Sequence, residues 1–240
     1  MTGDASTARS PNAAPPSGTR RPGLTRDQVL AAALAIIDQS GVEALTMRRL
    51  GQALDRNPMA IYRHAMDKEE LLDGVVERVV SGFVVPIGSD GDGDWECALR
   101  RHAHAFRRVV LAHPRVVPLL VTRPLSGPLA RQPAGMLRPL EELLGVFAAA
   151  GFDQRGALHA ARLFTGFLYG HVLHELQERV DNPDETDDLL RLGLHRLPIT
   201  QFPRLRSMAG ELADYDGATE LDEGLTIVIA GLRSQILSPA

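Results

Sequence analysis

Residues 46–68, TMRRLGQALDRNPMAIYRHAMDK, decide how the rest of the chain is read. They hold two short helical patterns separated by a polar break. Thr46 can cap the first, in which Leu50, Ala53 and Leu54 recur at helical spacing while Arg48, Arg49 and Gln52 face elsewhere. Asp55-Arg56-Asn57 is turn material, and Asn57 before Pro58 reads as an N-cap with proline at the first helical position. The second helix then runs from Pro58 to about Ala65, with Ile61 inward and Met59, Tyr62, Arg63 and His64 on or near exposed faces. Two helices joined by a tight polar turn, the second short and tipped with cationic and aromatic groups, are the layout of a helix-turn-helix. A small helical hairpin with a solvated face has the same spacing, so the pattern alone leaves both readings open.

Upstream, residues 25–40 form a strong amphipathic pattern. Thr25 supplies the cap, Val29, Leu30, Ala33, Leu34 and Ile37 make one apolar stripe, and Gly41 supplies the stop. Residues 1–22 are rich in Ala, Pro, Ser and Thr and cannot offset their ordering entropy by burial, so a disordered tail is expected there. Arg20 and Arg21 at its end could reach phosphate or a minor groove, or be solvated linker residues. Downstream, Asp67-x-x-Glu70 is a capping-box pattern that opens a helix through Leu71, Leu72, Val75, Val76, Val79 and Val80, running to about Phe83. A three-helix head over residues 23–68 follows, leading into a body over 69–240.

Charge divides the same way. Up to Met66 there are eight arginines against five carboxylates, a net of +3, so the remainder carries −7 of the overall −4. A basic head on an acidic body offers one face to phosphate and holds the rest away from it. The single cysteine, Cys97, excludes an intrachain disulfide and suits a reducing compartment. No stretch has the apolar character of a secretory leader or a membrane span, so a cytoplasmic protein is expected.

The body reads as all-α. The Gly- and Asp-rich loop at residues 86–94 lacks the terminal Glu of an EF-hand, and no metal is expected in it. Asp94 caps a helix to about His113, and five prolines break residues 114–135 apart from a turn or two near 116–121. Further helices are expected over 136–150, from Asp153 to about Val180, from Pro203 to about Asp214, and over 219–236. Residues 181–188 are an acidic loop. The 219–236 helix has Leu225 and Val228 on a wide apolar surface, expected to form a dimer interface with the helix ending near Val180. Gly224 and Gly231 would allow close approach.

The run TMRRLGQAL, a turn, and AIYRHAMDKEELLDGV resembles the DNA-binding domain of the TetR family of regulators, while FPRLRSMAGELADYD with ELDEGLTIVIAGL resembles the tetracycline-repressor-type C-terminal region. The resemblance covers residues 25–236. It departs at Asp55-Arg56, where many relatives carry Gly and an apolar residue, and a stiffer turn with a more solvated Arg56 is expected. The resemblance implies double-stranded operator DNA as partner, a homodimer and a small-molecule inducer. It places Arg48 at a base edge and Asn57, Pro58, Met59 and Ala60 in the groove, with Tyr62, His64 and Lys68 on phosphates and Arg63 beside them. Arg49 reads as a solvated charge.

For the ligand, His102, Phe106, Leu119, Thr122, Phe164, Phe167, His171 and His174 are the candidates. His102 and Phe106 lie one helical turn apart, as do His171 and His174. Thr122-Arg123-Pro124 resembles the segment that follows the drug–magnesium site of tetracycline repressors, but Leu119 stands where the metal-binding His would be. That argues against magnesium–tetracycline recognition and for another apolar or aromatic ligand, and no cofactor is expected. For any one histidine, a satisfied core or interface residue is the favoured reading over ligand contact. The competing reading is an enzyme whose His102, His171, His174 and Glu175 hold a metal in a helical bundle. Against it, no paired Glu-x-x-His motif, nucleophile elbow or phosphate loop is present.

Overall fold

Thr25 opens the first helix, α1 (Arg26–Ser40), with a full capping box. Its hydroxyl accepts from the Gln28 amide at 3.2 Å, and the Gln28 side chain accepts from the Thr25 amide at 3.0 Å. Gly41 ends it at φ +81°, a conformation that glycine adopts without strain. A 3₁₀ turn (Val42–Ala44) leads to α2 (Met47–Ala53), capped by Thr46, and then to α3 (Pro58–Ile61), capped by Asn57. In this computed structural model the described residues are 23–82, 94–123, 132–180, 193 and 196–237. The expectations for the 1–22 tail, for the loop up to residue 93 and for the acidic stretch 181–188 lie outside them.

The fourth helix, α4 (Lys68–Ser81), starts at Asp67, whose carboxylate accepts from the Glu70 amide at 2.8 Å. The return bond differs from the expected box: Glu70 accepts from Met66, one residue earlier, at 2.6 Å. Leu71, Leu72, Val75, Val76, Val79 and Val80 are all buried, so α4 is covered on both sides. On the head side Gly74 lets α1 approach closely; a β-carbon there would stand 2.6 Å from a Leu30 methyl.

The body is built on α8 (Gln154–Val180), which packs against α5 (Trp95–Ala112), α7 (Ala134–Ala149) and α11 (Gly217–Leu237). Asp94 and Asp153 cap α5 and α8 as their sequences predict, the latter accepting from the Gly156 amide at 2.7 Å. Between α5 and α7 lie a 3₁₀ turn (Pro114–Val116) and α6 (Val117–Thr122). At one end of this layer Trp95 and Phe147 each meet Phe152 edge to face and lie tilted against one another. Head and body share one continuous apolar core, from Val29 to Leu232. The described residues contain no strand, and the fold is all-α as expected.

Three local expectations are corrected. The recognition helix ends at Ile61, not Ala65, because residues 62–64 tighten into a turn that tucks Ala65 under it, with the His64 and Ala65 amides both reaching the Ile61 carbonyl. The helix expected from Pro203 to Asp214 is two pieces, α9 (Pro203–Ser207) and α10 (Ala209–Ala213), broken at Met208. Leu225 is fully buried inside the subunit and Val228 half-buried, so the outward apolar group on α11 is Ile227, 74% exposed. Of the two glycines on α11, Gly224 permits the close contact: a β-carbon on it would meet the Phe167 ring at 2.6 Å, whereas Gly231 faces open space.

Candidate nucleic-acid interface and ligand cavity

The turn between α2 and α3 is fixed by backbone geometry. Asp55 takes the left-handed conformation at φ +50°, which an aspartate tolerates better than most side chains. Gly51 then nests under the turn, where a β-carbon would stand 2.9 Å from the Arg56 carbonyl. Arg56 is half-buried, not more solvated, and donates to the Asp55 carbonyl at 3.1 Å.

This turn presents the N-terminal end of α3 outward. Met59 is 69% exposed and Tyr62 44%, while Ile61 is fully buried and anchors the helix on the head core. Arg48 and Arg63 are exposed, and Pro58, Ala60, His64 and Lys68 half-buried. Asn57 uses its side-chain oxygen on the Met59 amide at 2.9 Å, leaving its amide nitrogen for an outside acceptor. Lys68 stands 3.9 Å from the exposed Glu43 carboxylate, a loose pair that phosphate can displace. Arg49 is corrected from solvated charge to brace: it donates to Ser40 at 2.8 Å and ties α2 to α1. The nine residues expected to touch DNA therefore lie on one continuous stretch of the head, from α2 across α3 to the start of α4.

Behind the head, α4, α5, α6, α7 and α8 enclose a cavity of about 270 Å³. Of the residues predicted for a ligand, His102 and Phe106 line it. Phe164 is buried behind His102, ring centroids 5.9 Å apart. Leu119 is half-buried against the core, and Thr122 is exposed, donating to the Pro118 carbonyl at 2.7 Å. Phe167 packs on Gly224 and on His171, 6.1 Å away. His171 and His174 belong to a different group. There Glu175, 1% exposed, accepts two bonds from Arg107 at 2.8 and 2.6 Å, His171 stands 3.7 Å from it, and His174 meets Tyr215 edge on. The cavity wall that sequence reasoning missed is Val76 and Val80 of α4, Met136, Leu140 and Leu143 of α7, and Thr165, Leu168 and Tyr169 of α8. Their apolar spacing is that of any buried helix face, so only packing tells lining from core.

No Asp, Glu, Lys or Arg lines this cavity. Burial holds His102 neutral, with its pKa lowered to about 4. Between that value and the ordinary 6.5, the unfolded chain binds a proton that the folded chain refuses. Stability should therefore fall as pH drops through this window, by at most about 1.4 kcal/mol per unit from this group. His171, lowered in the same direction by its own burial, adds to the trend. Urea unfolding at pH 7, 6 and 5 should show this loss, with a smaller slope in His102→Gln; an unchanged slope would contradict the assignment. Among the described residues no three His, Cys, Asp or Glu side chains gather as a metal-holding group, and the four groups of the enzyme reading are split between the cavity wall and the Arg107 ion pair. No helix among the described residues is long and apolar enough to cross a membrane.

Polar links add to the apolar core that head and body share. Arg78 pairs with Asp27, Arg26 lies 3.7 Å from Glu77, and His113 and Arg115 hold Asp38 through its carboxylate and carbonyl at 2.8 and 3.0 Å. Arg123, at the end of α6, grips Glu69 and Asp73 on the first turns of α4. The helix that carries two cavity residues is thus clamped to the head along its outer side.

Comparison with known proteins places both halves. Residues 29–75 match the model for bacterial regulatory proteins of the tetR family, and residues 87–236 match the tetracyclin repressor-like C-terminal domain. A HTH-type transcriptional regulator of Saccharopolyspora erythraea is 30% identical, over 89% of this chain and 86% of its own length. The class C tetracycline repressor of Escherichia coli is 28% identical, over 90% and 93%. Among solved structures, the Streptomyces coelicolor TetR family protein ActR in complex with actinorhodin superposes with a TM-score of 0.71 at 29% identity, covering 89% of this chain and 98% of that one.

Proposed function

The chain belongs to the TetR family of bacterial regulatory proteins, and we propose that it is a ligand-released transcriptional repressor acting as a homodimer on a palindromic operator. One observation carries this reading: α4 joins a recognition helix to an uncharged cavity, with Val76 and Val80 on the cavity side and Gly74 seated on α1. A molecule wedged against Val76 and Val80 pushes α4, and the contacts of Gly74 with Leu30 and of Arg78 with Asp27 carry that push to the head. Such a ligand acts only through differential affinity: it must bind the DNA-incompetent arrangement better, by about 1–3 kcal/mol for typical coupling. The names of the relatives support both ends of the reading, since they include repressors and a ligand-bound regulator.

A dimer is supported by a face that the subunit leaves uncovered. On α8, Leu163, Gly166, Gly170 and Leu173 fall on one side, all exposed; on α11, Ile227, Ala230, Gly231 and Ser234 do the same. The small residues let helices approach, and the large ones fill the gaps between them. Two such pairs make a four-helix interface and fix one recognition helix per subunit, about one DNA turn apart.

The test is operator binding at several salt concentrations. Tyr62→Ala and Lys68→Ala should weaken binding to cognate and random duplexes alike and flatten the salt slope, because each removes a phosphate contact. Arg48→Ala should instead cost about 1–3 kcal/mol on the cognate site and relax preference at one base pair per half-site. Equal losses on cognate and random DNA would remove Arg48 as a base reader. Absence of duplex binding by the wild type would overturn the proposal.

A further inference from the structure

Three polar side chains line the cavity, His102, Thr165 and Tyr169, and Tyr169 is the one stacked on another wall residue. Tyr169 lines the cavity from α8, one helical turn beyond Thr165, with its ring tilted against Phe106 at 5.6 Å. A phenol hydroxyl on the wall of a cavity is available to a partner from outside the fold. Burial raises the Tyr169 pKa, so the group stays protonated and offers a donor. An anionic acceptor is disfavoured, because no cation lines the wall and an unpaired charge costs several kcal/mol to bury. Apart from His102, held neutral by burial, and Thr165, the rest of the wall is aliphatic or aromatic, and the cavity, at about 270 Å³, lies just under the ~300–1,000 Å³ usual for drug-sized molecules.

Resting on the regulatory reading above for its purpose, we propose that the cavity takes a compact, uncharged, flat molecule bearing a carbonyl, and that Tyr169 is the residue that selects it by donating to the carbonyl oxygen. The aromatic pair Phe106 and Tyr169 holds the ring system, and Leu140, Leu143 and Leu168 fill in around it. A hydrocarbon of the same outline fits the space but offers the phenol no acceptor. A carboxylate derivative brings an acceptor at the expense of a buried charge.

Three rigid probes of nearly one shape separate these cases: 9-fluorenone, fluorene and 9-fluorenone-4-carboxylate, titrated calorimetrically into the full-length protein at pH 7.5 without DNA. The ketone should bind about tenfold more tightly than the hydrocarbon and at least tenfold more tightly than the carboxylate. Tyr169→Phe keeps the ring and removes the donor, so the ketone-to-hydrocarbon ratio should fall to about one, with fluorene affinity and thermal midpoint unchanged. Equal binding of ketone and hydrocarbon by the wild type overturns the proposal, as does a preference that survives in Tyr169→Phe, a carboxylate that binds as well as the ketone, or no binding of any probe. Operator binding, measured separately, tells the two failures apart. A protein that shows the ketone preference but binds no duplex upholds Tyr169 as the selector and overturns the regulatory reading; one that binds a duplex without the preference does the reverse.

Discussion

Ile227→Arg should turn the dimer into monomers and abolish high-affinity operator binding. Ile227 is 74% exposed in the single subunit, so the subunit itself loses little by the change. In the proposed dimer the two new guanidinium groups enter one interface. Burying unpaired like charges there costs about 3–5 kcal/mol or more, enough to move a dimer out of the micromolar range. Sedimentation at micromolar concentration should show half the wild-type mass with unchanged helical circular dichroism. An intact dimer would remove α8 and α11 as the interface. Leu225→Arg is a poorer experiment than its place in the sequence promises, because Leu225 is fully buried in the subunit and its replacement should destabilise the subunit itself.

The second large effect concerns stability. Arg107→Met should cost about 3–5 kcal/mol, because it strands the Glu175 carboxylate, 1% exposed, without the bidentate partner that now holds it. Gly217 closes the other side; a β-carbon on it would stand 2.4 Å from the carboxylate, so the group has no room to turn toward water. Adding Glu175→Leu should restore much of the loss, since replacing both partners of a buried pair by apolar groups is often neutral. Urea unfolding of the single and double variants measures both. A single variant as stable as the wild type would mean that the pair contributes nothing.

What the sequence makes legible follows from where each signal lies. Thr25, Thr46, Asn57 and Asp67 each hold an amide within three residues, so caps can be read locally, and with them the head. The all-α class follows from apolar spacing in the same way. The Arg107–Glu175 pair joins positions 68 residues apart with nothing local to mark either partner. The end of α3 depends on where Ala65 packs, and the break at Met208 on tertiary context; neither carries a Gly or Pro signal. In the cavity, His102 and Phe106 stood out because a polar group and an aromatic share one face. Tyr169, Val76 and Met136 did not, since their spacing is equally that of core.

The central claim, a homodimer reading a palindrome through two recognition helices, is tested most directly by selection of bound duplexes from a random pool by the full-length wild-type protein. The account predicts enrichment of one inverted repeat whose half-site centres lie about 34–36 Å apart or a multiple of it, with Arg48→Ala relaxing one position in each half. Enrichment of a single asymmetric site, or none at all, would contradict it.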